Sequence, residues 1–326
     1  MADILSNNGG SFQMTKKIVA VLALSLVSAN AFASQAKNLV TGTGDAGSIL
    51  GASGMNGSFY TNDEYNMFWN PAFINGMKSW AIMENDSTGG PSGGFVTGMG
   101  AYNLGVFLNR PGTTNGSRAI DLLVGGEMGV KWGAAVTHTL SEGDASTTLL
   151  KVGATVGDFE PFLHYTLTDS NGATGTSENS NAGMTVGTRY HWGDWTPYAA
   201  YKTTTATVGG TEGDAVTNMG LGFGRSSKMG DVSMDYAVSY WRQNSGDVSV
   251  LPLNMTFSGA ASSWLTLRGG FSHDIIARGA AGATTARVGA SVNMGKADLD
   301  MTVANTADGM TLGNEVLGNL GLVYRM

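Results

Sequence analysis

Apolar and polar residues alternate along most of this chain. From Val130 to Leu140, one parity holds Val130, Trp132, Ala134, Val136, His138 and Leu140, and the other Lys131, Gly133, Ala135, Thr137 and Thr139. Successive side chains of a strand point to opposite faces, so a period of two predicts a strand between two different environments. The same split recurs. Met184, Val186, Tyr190 and Trp192 oppose Thr185, Gly187, Arg189 and His191, and Val232, Met234, Tyr236, Val238 and Tyr240 oppose Ser233, Asp235, Ala237 and Ser239. Near the C-terminus Leu299, Met301 and Val303 oppose Asp298, Asp300 and Thr302. Leu320, Leu322, Tyr324 and Met326 carry an apolar face to the last residue.

Turn signals punctuate these runs. Val156-Gly157-Asp158, Trp192-Gly193-Asp194, Met229-Gly230-Asp231 and Gly295-Lys296-Ala297 are tight, whereas Asp169–Asn181 and Val208–Ala215 are long and polar. Alternating short and long connections are the plan of an outer-membrane barrel, with tight periplasmic turns and longer external loops. Counting back from the C-terminus gives about sixteen strand-like runs from near Lys78, with about fourteen as the other count. The expectation is an all-β fold, a transmembrane antiparallel β-barrel over residues 78–326.

A soluble β-sandwich alternates too, but its polar face meets bulk water and is charge-rich. Here only 13% of residues are charged, and the polar parity is mostly Gly, Thr, Ser and Asn. The apolar parity carries aromatics near strand ends, Trp80, Trp132, Trp192, Trp195, Tyr240 and Tyr324, where a membrane barrel places its interfacial girdles. Glycine is 49 of 326 residues against only 6 prolines, which suits a sheet with many tight turns. A net charge of −7 disfavours a nucleic-acid partner.

The beginning of the chain adds a compartment. Lys16 and Lys17 precede an apolar run from Ile18 to Val27 and then Ala31-Phe32-Ala33. This is the order of a secretory signal peptide, and its apolar run is too short to span a bilayer as a helix. Residues 1–33 are therefore expected to be a leader whose true start is Met14, cleaved after Ala33 so that the mature chain begins at Ser34. The location that follows is the cell outer membrane. The partners expected there are the lipid bilayer, lipopolysaccharide, the outer-membrane assembly machinery and, in one alternative, further copies of the chain.

Candidate chemistry is sparse. His138, His164, His191 and His273 have no ligand spacing and there is no cysteine, so no metal or cofactor is expected. Gly220-x-Gly222-x-Gly224 has a period of two and precedes no helix, unlike a phosphate loop. No nucleophile elbow appears, and the chain is not expected to be an enzyme. Parity instead assigns pore-lining residues: Lys131, Lys151, Arg189, Lys202, Arg268 and Arg287, with Asp235 and Asp300 among the acids. Ladders of opposite sign facing each other across the lumen would set up a transverse field. The alternative is a set of solvated residues that keep the lumen wet.

Residues 34–77 stand apart. Val40–Asn75 is rich in Gly and Asn and alternates poorly, which predicts either a plug within the lumen or an unusual first hairpin. Its Asn70-Pro71-Ala72, beside Phe68 and Trp69, resembles the element of the long-chain fatty-acid outer-membrane transporters that forms an N-terminal hatch inside the barrel. The whole layout (leader, Ser34-Gln35-Ala36 start, this element, Gly-rich short strands) is similar to the porin-like major outer-membrane proteins of Bdellovibrio-type bacteria. That resemblance implies an abundant pore protein. Three functions follow: passive diffusion of small hydrophilic solutes, transport of hydrophobic substrates past a hatch, or a structural role with a closed lumen.

Overall fold

The computed structural model describes residues 36–37, 40, 64–77, 79–86, 90–111, 117–141, 144–173, 179–280, 282, 284–306 and 319–326. The expected leader and its cleavage site lie outside them, as does Lys78.

Sixteen strands form one closed antiparallel wall. In chain order they are β1 (Trp80–Asp86), β2 (Gly90–Met99), β3 (Tyr102–Pro111), β4 (Arg118–Glu127), β5 (Lys131–Leu140), β6 (Ser146–Thr155), β7 (Phe159–Ser170), β8 (Asn179–Tyr190) and β9 (Trp195–Val208). After a two-residue strand β10 (Thr211–Glu212) come β11 (Val216–Met229), β12 (Val232–Gln243), β13 (Val248–Ser262), β14 (Leu265–Arg278), β15 (Thr284–Met294), β16 (Ala297–Thr306) and β17 (Asn319–Arg325). Each pairs with its neighbours in sequence, and β1 pairs with both β2 and β17, which closes the ring. The extra strand β10 only extends the β9–β11 hairpin through Thr211↔Val208. Closure satisfies every edge, as hydrocarbon demands of a spanning sheet. Apart from β1, β17 and β10, strands run 10–15 residues, enough to cross a bilayer at a tilt.

The two rims differ as the turn signals predicted. At Val156–Phe159 each end residue donates its N–H to the other's carbonyl, at 2.8 and 3.1 Å, around a two-residue loop. Gly157, Gly193 and Gly230 hold φ of 59°, 60° and 62° at the first loop position. A Cβ there would meet nothing within 4 Å, so backbone conformation and not space calls for glycine. The opposite rim carries the long connections. Met326 N–H donates to Ser79 O (2.8 Å), which sets the C-terminus at the tight-turn rim.

Alternation sorts the faces. Phe95, Leu122, Val136, Leu221, Val238 and Val288 are exposed on the outer face, while Ala135, Thr137, Ala237, Ser239, Asp298 and Thr302 are buried on the inner one. One aromatic departs from expectation: Trp80 is 1% exposed and packs inward against Phe107, at 5.7 Å between rings. It pairs with the inward residues Val96 and Arg325 and so leaves the girdle. The others take the outer face, Trp195 stacked on Phe223 at 4.5 Å.

Candidate functional site: the barrel interior

The described part of the N-terminal segment lies against the inner wall. Glu64–Phe68 and Pro71–Gly76 are two short 3-10 turns, not wall strands. Asn70 precedes the second turn in an extended conformation, and its Oδ1 accepts the N–H of Ala72 at 3.1 Å. Pro71 occupies the first turn position, where its missing N–H costs nothing. Asn70, Pro71 and Ala72 are all buried.

A row of small residues crosses four strands to receive this turn: Asn103, Gly125, Gly133 and Gly153, aligned by direct pairing. A Cβ on Gly133 would lie 2.2 Å from the Pro71 carbonyl carbon, one on Gly153 1.9 Å from Asn70 Oδ1, and one on Gly125 2.4 Å from an Ile74 methyl. Only glycine permits that approach. Asn75 then donates to Trp132 O (2.8 Å) and accepts from Asn103 Nδ2 (3.1 Å).

Asn70 does more than fill space. Phe159 and Val156 form a hydrogen-bonded pair, so the next such pair along β6 and β7 is Ala154 with Pro161. Proline has no N–H to give Ala154. The Asn70 Nδ2 amide crosses from the turn and donates to Ala154 O at 3.1 Å and to Pro161 O at 3.4 Å. The side chain thus supplies the donor that the wall lacks.

Basic side chains complete the seat. Lys151, buried on β6, donates to Phe68 O at 2.7 Å, and a His164 ring nitrogen meets Trp69 O at 2.6 Å. The Arg110 guanidinium lies 4.5 Å from the centre of the Phe68 ring, and that of Arg189 5.1 Å from Trp69 and 4.9 Å from Phe73. Around them Met67, Ile74, Phe107 and Leu123 form one apolar cluster, and Trp69, Phe162, Tyr198 and Trp241 another. Gly222 makes room for Tyr198, whose ring would stand 2.3 Å from an added Cβ.

A second piece touches the far wall. Thr302 Oγ1 donates to Ala36 O, and Val40 lies against Gly270 and Gly289. Beside it Arg268 donates to Ser291, which donates to Asp300, with the Arg268–Asp300 ion pair at 3.7 Å. Arg287 is half-buried opposite Gly270.

Of the residues that parity assigned to the lumen, the structure therefore gathers Lys151 and Arg189 at the turn and Arg268, Arg287 and Asp300 on the far wall. Asp235 accepts from Thr256 at 3.3 Å, Lys202 is half-buried opposite Thr185, and Lys131 is exposed at the tight-turn rim. The described inward ion pairs run along the wall: Arg110–Asp121 at 2.7 Å, Arg189–Glu160, Arg325–Asp298 and Arg268–Asp300. None of these spans the lumen. Arg110 escaped sequence reasoning. A bulge between Phe107 and Arg110, with Asn109 at φ 60°, turns it inward where strict alternation points it out. Among the described residues no group of three or more His, Asp or Glu gathers at metal-binding distance.

A closed sixteen-stranded wall with an apolar outer belt, a polar interior and unequal rims defines an outer-membrane β-barrel. No family model matches the chain, and no curated protein matches it in sequence. Solved structures align with about three-quarters of the chain. CdiB from Acinetobacter baumannii aligns over 76% of this chain and 59% of its own, at 8% identity and a TM-score of 0.48. OmpT of Vibrio cholerae aligns over 76% and 95%, at 11% identity and 0.38. A porin aligns over 76% and 99%, at 11% identity and 0.45. This chain spans about three-fifths of CdiB. Likenesses this distant leave function to the chain's own geometry.

Proposed function

We propose that the protein is an outer-membrane porin, a passive path for small hydrophilic solutes narrowed by its N-terminal segment. The inward face carries this reading. A ring of sixteen strands encloses more volume than wall side chains fill. Its lining holds charges of both signs, and four arginine–carboxylate pairs neutralise each other along the wall, which suits polar solutes without strong selection by sign. The reading needs no catalytic group.

The apolar cluster of Trp69, Phe162, Tyr198 and Trp241 behind the turn favours a second reading, a transporter of hydrophobic substrates with the turn as its hatch. Planar-bilayer recording of the purified protein separates the two. A porin gives stepwise conductance, and liposomes containing it swell in small sugars. A silent bilayer together with saturable binding of a long-chain fatty acid would sink the porin reading.

A further inference from the structure

The barrel strands sort charge by face. Among the described residues, the acids of the sixteen barrel strands all fall on the inward parity, Glu84, Asp121, Glu160 and Asp235 among them. The charged residues of outward parity are four arginines: Arg118, Arg225, Arg242 and Arg278. Arg225 stands toward the tight-turn rim, occupied by the Trp195 ring at 4.8 Å and the Tyr236 hydroxyl at 3.1 Å. The other three stand at the opposite, long-loop rim.

Two of these share a row. Arg242 pairs with Ser249, and Ser249 with Arg278, so the arginines flank a serine on three adjacent strands. Their Cα atoms are two strand spacings apart, about 10 Å, within reach of one group for such long side chains. The register shift in β14 at Leu251/Pro252 leaves Ile275 unopposed and turns Arg278 outward. The two loops hold each other: a Cβ on Gly279 would come 3.1 Å from Asp247 O and 3.2 Å from Gly246 O. Arg242 meets Asp247 at 3.6 Å, but both side chains are more than half exposed, so the contact leaves the guanidinium available.

We propose that Arg242, Ser249 and Arg278 bind a lipid A phosphate of lipopolysaccharide on the lipid-facing wall. The long-loop rim meets the outer leaflet, whose anionic headgroups would otherwise face a chain of net charge −7. Guanidinium forks match phosphate oxygens in charge and geometry, and the serine hydroxyl adds a donor between them. The inference rests on the outer-membrane assignment and is independent of conduction.

The test is thermal unfolding of the full-length protein in neutral detergent, followed by its gel shift, during titration with diphosphoryl lipid A. Wild type is expected to gain unfolding temperature saturably. The pair Arg242→Gln/Arg278→Gln should need about fivefold or more lipid A for the same gain. Arg225→Gln, at the other rim, should respond as wild type does. Should the double substitution not fold, Arg278→Lys and Arg242→Lys singly give the same comparison, since a point charge loses the fork. Equal shifts in wild type and variants overturn the proposal, as does an equal shift of wild type by dephosphorylated lipid A. If inorganic phosphate alone reproduces the shift, the lipid assignment fails.

Discussion

Asn70 is the residue on which the inner turn and the wall depend together. Its Oδ1 caps the turn at Ala72, and its amide replaces the donor that Pro161 removes from β7. Leaving a buried carbonyl unmet costs about 1–3 kcal/mol, so Asn70→Ala should lower the unfolding free energy measured by denaturant titration by that amount. The mechanism makes a sharper claim through a double-mutant cycle. Pro161→Ala restores an N–H that can reach Ala154 O. In that background Asn70→Ala should cost about 1 kcal/mol less than in wild type. If the two penalties simply add, Asn70 does not act through the gap at Pro161.

At the scale of strands, period two exposed most of the architecture. β5, β8, β12 and β16 present the faces that alternation assigned, because no register shift falls in their pairing with either neighbour. Alternation fails where a bulge inserts a residue, since nothing in the hydrophobic pattern marks a one-residue offset. Arg110 is hidden by Asn109, and Arg278 by Ile275. Trp80 misled for another reason. An aromatic at a strand end reads as a girdle residue, and only its pairing with Val96 shows that it faces in. The inner seat was legible as an anomaly, a Gly- and Asn-rich stretch that refuses to alternate. Its dependence on Gly125, Gly133 and Gly153 was not, because a wall glycine looks the same whether it faces water or a docked turn.

The Asn109 bulge yields a test with opposite signs. In wild type, Arg110→Met strands Asp121 among buried neighbours, and losing one partner of such a pair costs about 3–5 kcal/mol. Deleting Asn109 restores strict alternation and turns residue 110 toward lipid, where arginine itself is penalised by about 2–4 kcal/mol near the midplane and less toward the rim. Arg110→Met should therefore destabilise the wild-type chain and stabilise the deletion chain, both measured by denaturant titration of the refolded barrel. The same sign in both backgrounds would show that the bulge does not control which way residue 110 points.

For the whole molecule the question is whether the inner turn limits flow. Strand pairing needs the turn only where Asn70 meets Ala154 O, and the turn attaches near the tight-turn rim through glycines that tolerate no side chain. Gly133→Val would set a branched side chain where the Pro71 backbone now lies, at 2.2 Å from the Cβ position. Overpacking of this kind costs about 1–3 kcal/mol, so the wall should survive while the turn is forced off it. The porin reading then expects a heat-modifiable barrel with larger single-channel conductance than wild type. A paired change distinguishes displacement from mere loosening. Leu122→Ala alters the lipid face of the neighbouring strand β4 and should lower stability without raising conductance. If Gly133→Val folds and conducts as wild type does, the turn stands clear of the permeation path and what narrows the lumen lies elsewhere. If both variants conduct more, the gain reflects a softened wall, and the turn loses its role as the constriction.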